Sequence, residues 1–377
     1  MLQTAVVWHV FALSHSPFQM GLLGVVQFAP AALLTLLGGA VADSFDRRRV
    51  VMLAQLPPLA AAGLLYFATS QSFVSVPLIF AAMFVIAVAG AFDGPARMAF
   101  LPGLVGREAF PRAVVFASTT MSMAFVTGPA LQGLLIWWSG IQVVYALYGG
   151  LIGLALFFLS FLHPVEPAAA GGAMSVRAVR EGLGFVRRSP VVLGCMTLDM
   201  LAVIFGGAGA MLPIYAYEIL GKGPRGYGVL ASSLEMGSLL MGLFMLTRRP
   251  VVRAGRALLI AVGVYGAATI AFGLSRTFPL SVALYMIAGM ADNVSVIMRS
   301  TAIQLSTPDA LRGRVSAVNM LFIGASNRLG DAESGFVAAL TNATFSVVSG
   351  GVGCLAVLAL VAAYLPELRA YRTPSRA

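Results

Sequence analysis

The chain has 377 residues, of which 59% are hydrophobic and only 10% charged, with a formal net charge of +10 and a mean hydropathy of +0.91. A soluble globular domain carries about 25% charged residues, so this composition excludes an ordinary water-soluble fold and points to a membrane protein. In a soluble chain the positive balance would read as nucleic-acid affinity; here the arginines fall in short gaps between apolar runs, the distribution that membrane topology produces.

A helix needs roughly 20 apolar residues to cross the hydrocarbon core. Apolar runs fall near 1–13, 20–42, 50–69, 76–96, 113–137, 141–163, 190–217, 227–247, 257–275, 279–300, 315–340 and 344–365. Each except the first is long enough, so twelve spans are predicted with a short one at the start. The runs are continuous and lack the alternation of barrel strands, which favours helices. The predicted fold is therefore an all-α membrane protein.

Basic residues set the orientation. Alternate gaps hold Arg47, Arg48 and Arg49, then Arg97, Arg107 and Arg112, then Arg177, Arg180, Arg187 and Arg188. The same set continues with Arg248, Arg249, Arg253 and Arg256, with Arg299, Arg312 and Arg314, and with Arg369, Arg372 and Arg376 in the tail. The opposite gaps hold Lys222, Arg225 and Arg276. This bias predicts a protein integral to the plasma membrane with a cytoplasmic C-terminus.

Matched segments divide the chain into two halves. "LSHSPFQMGLL" (13–23) aligns with "LGKGPRGYGVL" (220–230), pairing Pro17 with Pro224 and Gly21 with Gly228. "GREAFPRAV" (106–114) aligns with "TPDALRGRV" (307–315) at a nearly equal offset. Two six-helix bundles in parallel pseudo-repeat are the expectation, a design used by one large class of secondary transporters. The seventh run starts near Pro190, so its counterpart would begin ahead of Met1, and the first helix is expected to be incomplete at its N-terminus. The predicted organisation is an N-terminal bundle over 1–163, a cytoplasmic linker over 164–189 and a C-terminal bundle over 190–377. Within the linker, Val176, Val179, Leu183 and Val186 recur at helical spacing and predict an amphipathic helix.

The two cysteines, Cys195 and Cys354, sit inside apolar runs and read as buried free thiols. No basic region precedes the first apolar run, so no signal peptide is read there. His9 reads as a packed or interfacial residue. Three scattered His and two distant Cys offer no metal-ligand cluster, and neither a G-x-S-x-G elbow nor a phosphate-binding loop is present. An enzyme is not expected, nor is a cofactor or a nucleic-acid partner.

An ionisable side chain at mid-bilayer costs about 2.5–3.5 kcal/mol or more and marks a pathway. Asp199, Glu235, Asp292, Arg328, Asp331 and Glu333 all fall inside apolar runs. On a helix, Arg328 and Asp331 share a face at i,i+3 and can neutralise each other, whereas Glu333 lies about 200° around from Asp331. Glu333 therefore has to face a cavity or another helix. These six are the candidate proton-coupling and cavity residues. Placement near a helix end, in water, is the alternative for Asp199 and Asp292.

The segment "GGAVADSFDRRRVV" (38–51) closes the second run. Its Gly39, Asp43, Arg47 and Arg48 resemble the G-x-x-x-D-(R/K)-x-G-(R/K)-(R/K) loop between helices two and three of the major facilitator superfamily. Ser44 departs from the usual basic residue, and Asp46 from the usual Gly. Further matches, "FDGPAR" (92–97), "GPALQG" (128–133), "LDMLAVIFGGAGAMLP" (198–213), "LRGRVSAV" (311–318) and "ESG" (333–335), resemble the drug and siderophore exporter branch.

The resemblance implies a gating latch at Asp43 and a pairing of Arg47 with Asp93. It also implies a helix-bend motif at Gly128, Pro129 and Gly133; ordinary helix packing accounts for those three equally well. The implied function is proton-coupled export of a small organic molecule by alternating access, in a lipid-embedded monomer whose partners are its substrate and protons. A solute importer of the same fold and a non-transporting scaffold or sensor are the competing readings.

Overall fold

A computed structural model describes residues 1–105, 108–162, 176–248 and 251–373, with the side chains of Leu36, Asp43 and 176–178 set aside. The described chain is helical. Its elements are α1 (Leu2–Ser14), α2 (Pro17–Ser44), α3 (Arg47–Ser70), α4 (Val76–Leu104), α5 (Phe110–Ser139), α6 (Ile141–Ser160) and α7 (Val176–Arg188). They continue with α8 (Pro190–Gly206), the single turn α9 (Leu212–Ile214), α10 (Gly223–Leu246), α11 (Ala254–Leu274) and α12 (Phe278–Ser306). The last are α13 (Arg312–Leu340), α14 (Ala343–Tyr364) and the short α15 (Pro366–Ala370).

Among the described residues, 10 helices are long and apolar enough to cross a membrane. Helix α1 has 13 residues and is shorter than a span. Helix α13 has the length, at 29 residues, but carries Arg312, Arg314, Arg328, Asp331 and Glu333 along it. Large apolar side chains lie on the outside: Trp138 is 79% exposed and Phe116 76%. Such a surface suits lipid, in which no hydrophobic penalty attaches to exposed rings.

The chain divides into two compact units. One comprises Met1–His15 and Val25–Ala178; the other comprises Ser16–Gly24 and Val179–Ala377. In the first, α3 packs on α4 and α6, burying Ala62, Leu65, Ile79 and Val144. A Cβ on Gly38 would collide with the Ala91 carbonyl, so glycine there is what lets α2 meet α4. Helix α3 starts on Asp46, whose carboxylate accepts the Arg48 backbone N–H at 3.0 Å and pairs with Arg49 at 3.5 Å. The aspartate at the motif's usual glycine position is thus an N-cap.

In the second unit the core joins Cys195 and Leu198 of α8, Leu258 and Val262 of α11, Met298 of α12, Val318 of α13 and Cys354 of α14. Both cysteines are buried and free. Helix α7 docks here along its apolar face: Val186 joins this core, with Val179 and Leu183 packed against it. Glu181 pairs with Arg314, and Gly182 lies so close to the Arg314 carbonyl that a Cβ would clash. The first part of the expected linker, residues 164–175, lies outside the described residues.

Helix α8 does not run straight to the end of its apolar stretch. It stops at Gly206, followed by a 3-10 turn at Gly209–Met211, the α9 turn and a π-turn at Tyr215–Ile219. Side chains of neighbouring helices take up the freed carbonyls. Tyr265 donates to Gly206 O at 3.1 Å and Ser334 to Gly207 O at 2.7 Å. Non-helical backbone at such a depth is tolerated only where protein satisfies it in this way.

Candidate functional site

In the first unit, the motif after α2 is spread over several partners. Gly39 is buried, and the Asp43 side chain lies outside the described residues. Arg47 Nη1 donates to the Ala99 carbonyl at 3.0 Å. Arg48 Nε donates to Leu159 O at 2.9 Å and Nη2 to Ser160 O, so this guanidinium caps the C-terminus of α6. Asp93, the partner that the resemblance implies for Arg47, is engaged along its own helix. Asp93 accepts two hydrogen bonds of 3.1 Å from Arg97, one turn along the same helix. A partner at i+4 is already held at the right separation, whereas Arg47 must arrive from another helix. The signal for Arg97 was present in "FDGPAR", at i,i+4.

Helix α5 is continuous through Pro129, which is buried with Gly133. Gly128 faces Met1, whose nitrogen would lie 3.1 Å from an added Cβ. One turn on, Gln132 is fully buried, and its amide has no hydrogen-bond partner among the described residues. His9 is buried too and shares a 2.7 Å hydrogen bond with the Tyr145 hydroxyl of α6.

The second unit holds the intramembrane charges. Asp199 of α8 and Arg299 of α12 form an ion pair, with side chains only 10% and 4% exposed. Arg299 belongs to the body of α12, not to a solvated gap between spans, and this corrects its place among the topology arginines. Asp199 is correspondingly buried and paired, not solvated at a helix end.

Glu235 on α10 and Asp292 on α12 are half-buried and interact electrostatically with each other. Glycines bring these two helices together: a Cβ on Gly237 would collide with the Met286 carbonyl, and one on Gly289 with the Leu234 carbonyl. Ser238 fills the crossing by donating to Gly289 O at 2.9 Å. Tyr285, buried on α12 and packed on Phe272 with centroids 5.0 Å apart, lies within electrostatic reach of Glu235, Asp292 and Asp331. Tyr285 was not singled out in the sequence, and Arg299 was read only as a topology arginine, because contacts between helices leave no mark on either helix's own periodicity.

On α13, Arg328 and Asp331 interact with each other. Asp331 faces the break in α8, its Oδ1 3.5 Å from where a Cβ on Gly209 would sit. Glu333 is half-buried, and its Oε2 lies 3.4 Å from the hydroxyl of Ser334, the residue that caps Gly207. Asp331 and Glu333 therefore both border the irregular segment after α8.

Apolar helices of spanning length, interrupted after α8 and carrying carboxylates in their interior, define a membrane transporter rather than an enzyme. The fold is that of major facilitator transporters. The nucleoside transporter NupG matches with a TM-score of 0.71 at 16% identity, over 96% of this chain and 93% of its own. A bacterial homolog of the human lysosomal transporter Spinster, inward-facing and occupied, matches with a TM-score of 0.71 at 17% identity, over 99% and 94%.

The chain belongs to the family described as transmembrane secretion effector, whose model matches residues 1–377. It is 25% identical to the enterobactin exporter EntS of Escherichia coli O1:K1 / APEC, over 99% of this chain and 89% of that protein. It is 24% identical to the enterobactin exporter EntS of Citrobacter koseri, over 99% and 90%.

Proposed function

We propose that this transporter is a proton-coupled antiporter that exports a small organic molecule, drug-like or siderophore, across the plasma membrane by alternating access, with its C-terminus in the cytoplasm. The observation that carries the reading is the set of half-buried carboxylates Glu235, Asp292 and Glu333 on long helices of the second unit. Among the described ion pairs none of the three has a basic partner, in contrast to Asp199 with Arg299. An uncompensated carboxylate at such a depth costs about 2.5–3.5 kcal/mol while ionised, and taking up a proton removes that cost. Each proton moved inward gains about 2.3 kcal/mol per 100 mV, which can drive cargo outward.

In this reading Glu333, Glu235 and Asp292 carry protons, and Arg328 with Asp331 forms a neutralised pair beside the break. Gly39, Asp43, Arg47 and Arg48 serve the gate, and the Gly128–Pro129–Gly133 segment bends its helix. The exporter relatives support the outward direction.

Everted membrane vesicles test it. Acidifying the vesicle interior should drive uptake of the exported compound from a panel of drug-like molecules and siderophores, and a protonophore should abolish it. Accumulation that instead requires the opposite gradient would identify an importer. A stable, reconstituted protein that moves none of the panel under either gradient would favour the scaffold reading.

A further inference from the structure

The second unit holds a cavity of about 370 Å³ where α10 ends and α11 begins. Its apolar wall includes Met245, Leu246 and Ile297, and its polar positions are Arg248, Thr301 and Thr373. Thr301 already donates its hydroxyl to Ile297 O at 2.8 Å, so Arg248 is the group best able to hold a ligand's charge. The Arg248 guanidinium rests over the Phe244 ring, 4.6 Å from its centroid, and stays exposed.

The C-terminal segment is fastened beside this cavity. Thr373 donates from its backbone N–H to Val252 O at 3.0 Å and from its hydroxyl to Val251 O at 2.7 Å. Gly255 N–H donates to Tyr371 O at 3.2 Å. These bonds gather Arg253, Arg256 and Arg372, all exposed, around the same end of the unit, with Glu367 the exposed acid nearby on α15. An apolar wall at the ends of membrane-spanning helices, with the exposed Arg248 in its lining and further arginines on adjoining segments, is complementary to a molecule with an alkyl chain and an anionic head. A soluble anion would gain nothing from Met245, Leu246 and Ile297, and a zwitterionic head gains less than an anionic one from these arginines.

We propose that this cavity binds one anionic phospholipid of the surrounding bilayer, with its phosphate on Arg248 and an acyl chain along Met245, Leu246 and Ile297. None of the carboxylates of α10, α12 and α13 is among the residues that line the cavity, so the proposal does not rest on proton coupling.

The test uses the full chain, purified and presented with phosphatidylglycerol or phosphatidylcholine, with bound lipid counted by native mass spectrometry. Phosphatidylglycerol should be retained in preference to phosphatidylcholine. Arg248→Gln should lower that retention about fivefold, the attraction of one basic group near a bilayer surface. Leu246→Glu, at a position 82% exposed and therefore compatible with folding, should lower it similarly by setting an anion against the apolar wall. Glycerol phosphate, the head without its chains, should not displace the lipid. Equal retention of the two lipids, unchanged retention in Arg248→Gln, or displacement by glycerol phosphate would each overturn the proposal, the last by marking a site for a soluble anion.

Discussion

Asp199 and Arg299, one hundred residues apart in sequence, meet as an ion pair buried between α8 and α12. Removing one member leaves the other charged and uncompensated in a low-dielectric core, which costs about 3–5 kcal/mol. We therefore expect Asp199→Asn and Arg299→Gln each to lower thermal stability strongly, as read by size-exclusion monitored after heating in detergent. The double change Asp199→Leu/Arg299→Met should recover most of the loss, because no orphan charge remains. Failure of the double variant to improve on either single one would mean that the pair does more than neutralise itself.

The crossing of α10 and α12 rests on glycine. Gly289 faces the Leu234 carbonyl and accepts from Ser238, so Gly289→Ala has to push the helices apart and lose that hydrogen bond. Overpacking of this kind costs about 1–3 kcal/mol. Gly150→Ala on α6, where a Cβ meets nothing within 4 Å, is the control and should be neutral or slightly stabilising. Equal melting temperatures for the two variants would refute the close-contact account.

Helix lengths were legible in the sequence because hydrocarbon thickness imposes them. The apolar runs from 50 to 365 reappear as helices, the one over 190–217 broken after Gly206, and the repeat of Val176, Val179, Leu183 and Val186 reappears as α7. Pairings between helices were not legible, since a helix's own spacing reports only its i+3 and i+4 neighbours. That is why Arg299 read as a topology anchor: its run was ended at 300, while α12 continues to Ser306 and carries Arg299 two turns inside. The interruption after α8 was also hidden, because the sequence stays apolar through it; Gly206, Gly207 and Gly209 were the available sign. Asp46 looked like a departure from a motif until its capping bond to Arg48 appeared.

Arg48 and Arg97 invite a direct comparison. Arg97 pairs with Asp93 along one helix with its side chain 61% exposed, and exposed pairs of this kind contribute about 0.3–0.5 kcal/mol. Arg48 satisfies two carbonyls at the end of α6 from another helix, a charged hydrogen-bond arrangement worth about 1.5–3 kcal/mol. Arg48→Ala should accordingly lower the melting temperature clearly more than Arg97→Ala. The reverse order would show that Arg48's bonds to α6 contribute little.

Glu333 gives the sharpest test of proton coupling. Its carboxylate lies 3.4 Å from the Ser334 hydroxyl, and that hydroxyl donates to Gly207 O at the interruption after α8. Gln has the same shape but cannot ionise, so Glu333→Gln separates protonation from packing. We expect gradient-driven transport in everted vesicles to fall by about tenfold or more, equivalent to raising the barrier to the coupled step by about 1.4 kcal/mol, with folding unaffected. Substrate exchange without a gradient should persist, because it requires no net proton movement. Ser334→Ala should instead act on stability, at about 1 kcal/mol for the lost hydrogen bond to the part-buried Gly207 carbonyl. Driven transport at the normal rate in Glu333→Gln would remove this residue from the coupling mechanism and leave Glu235 and Asp292 to account for it.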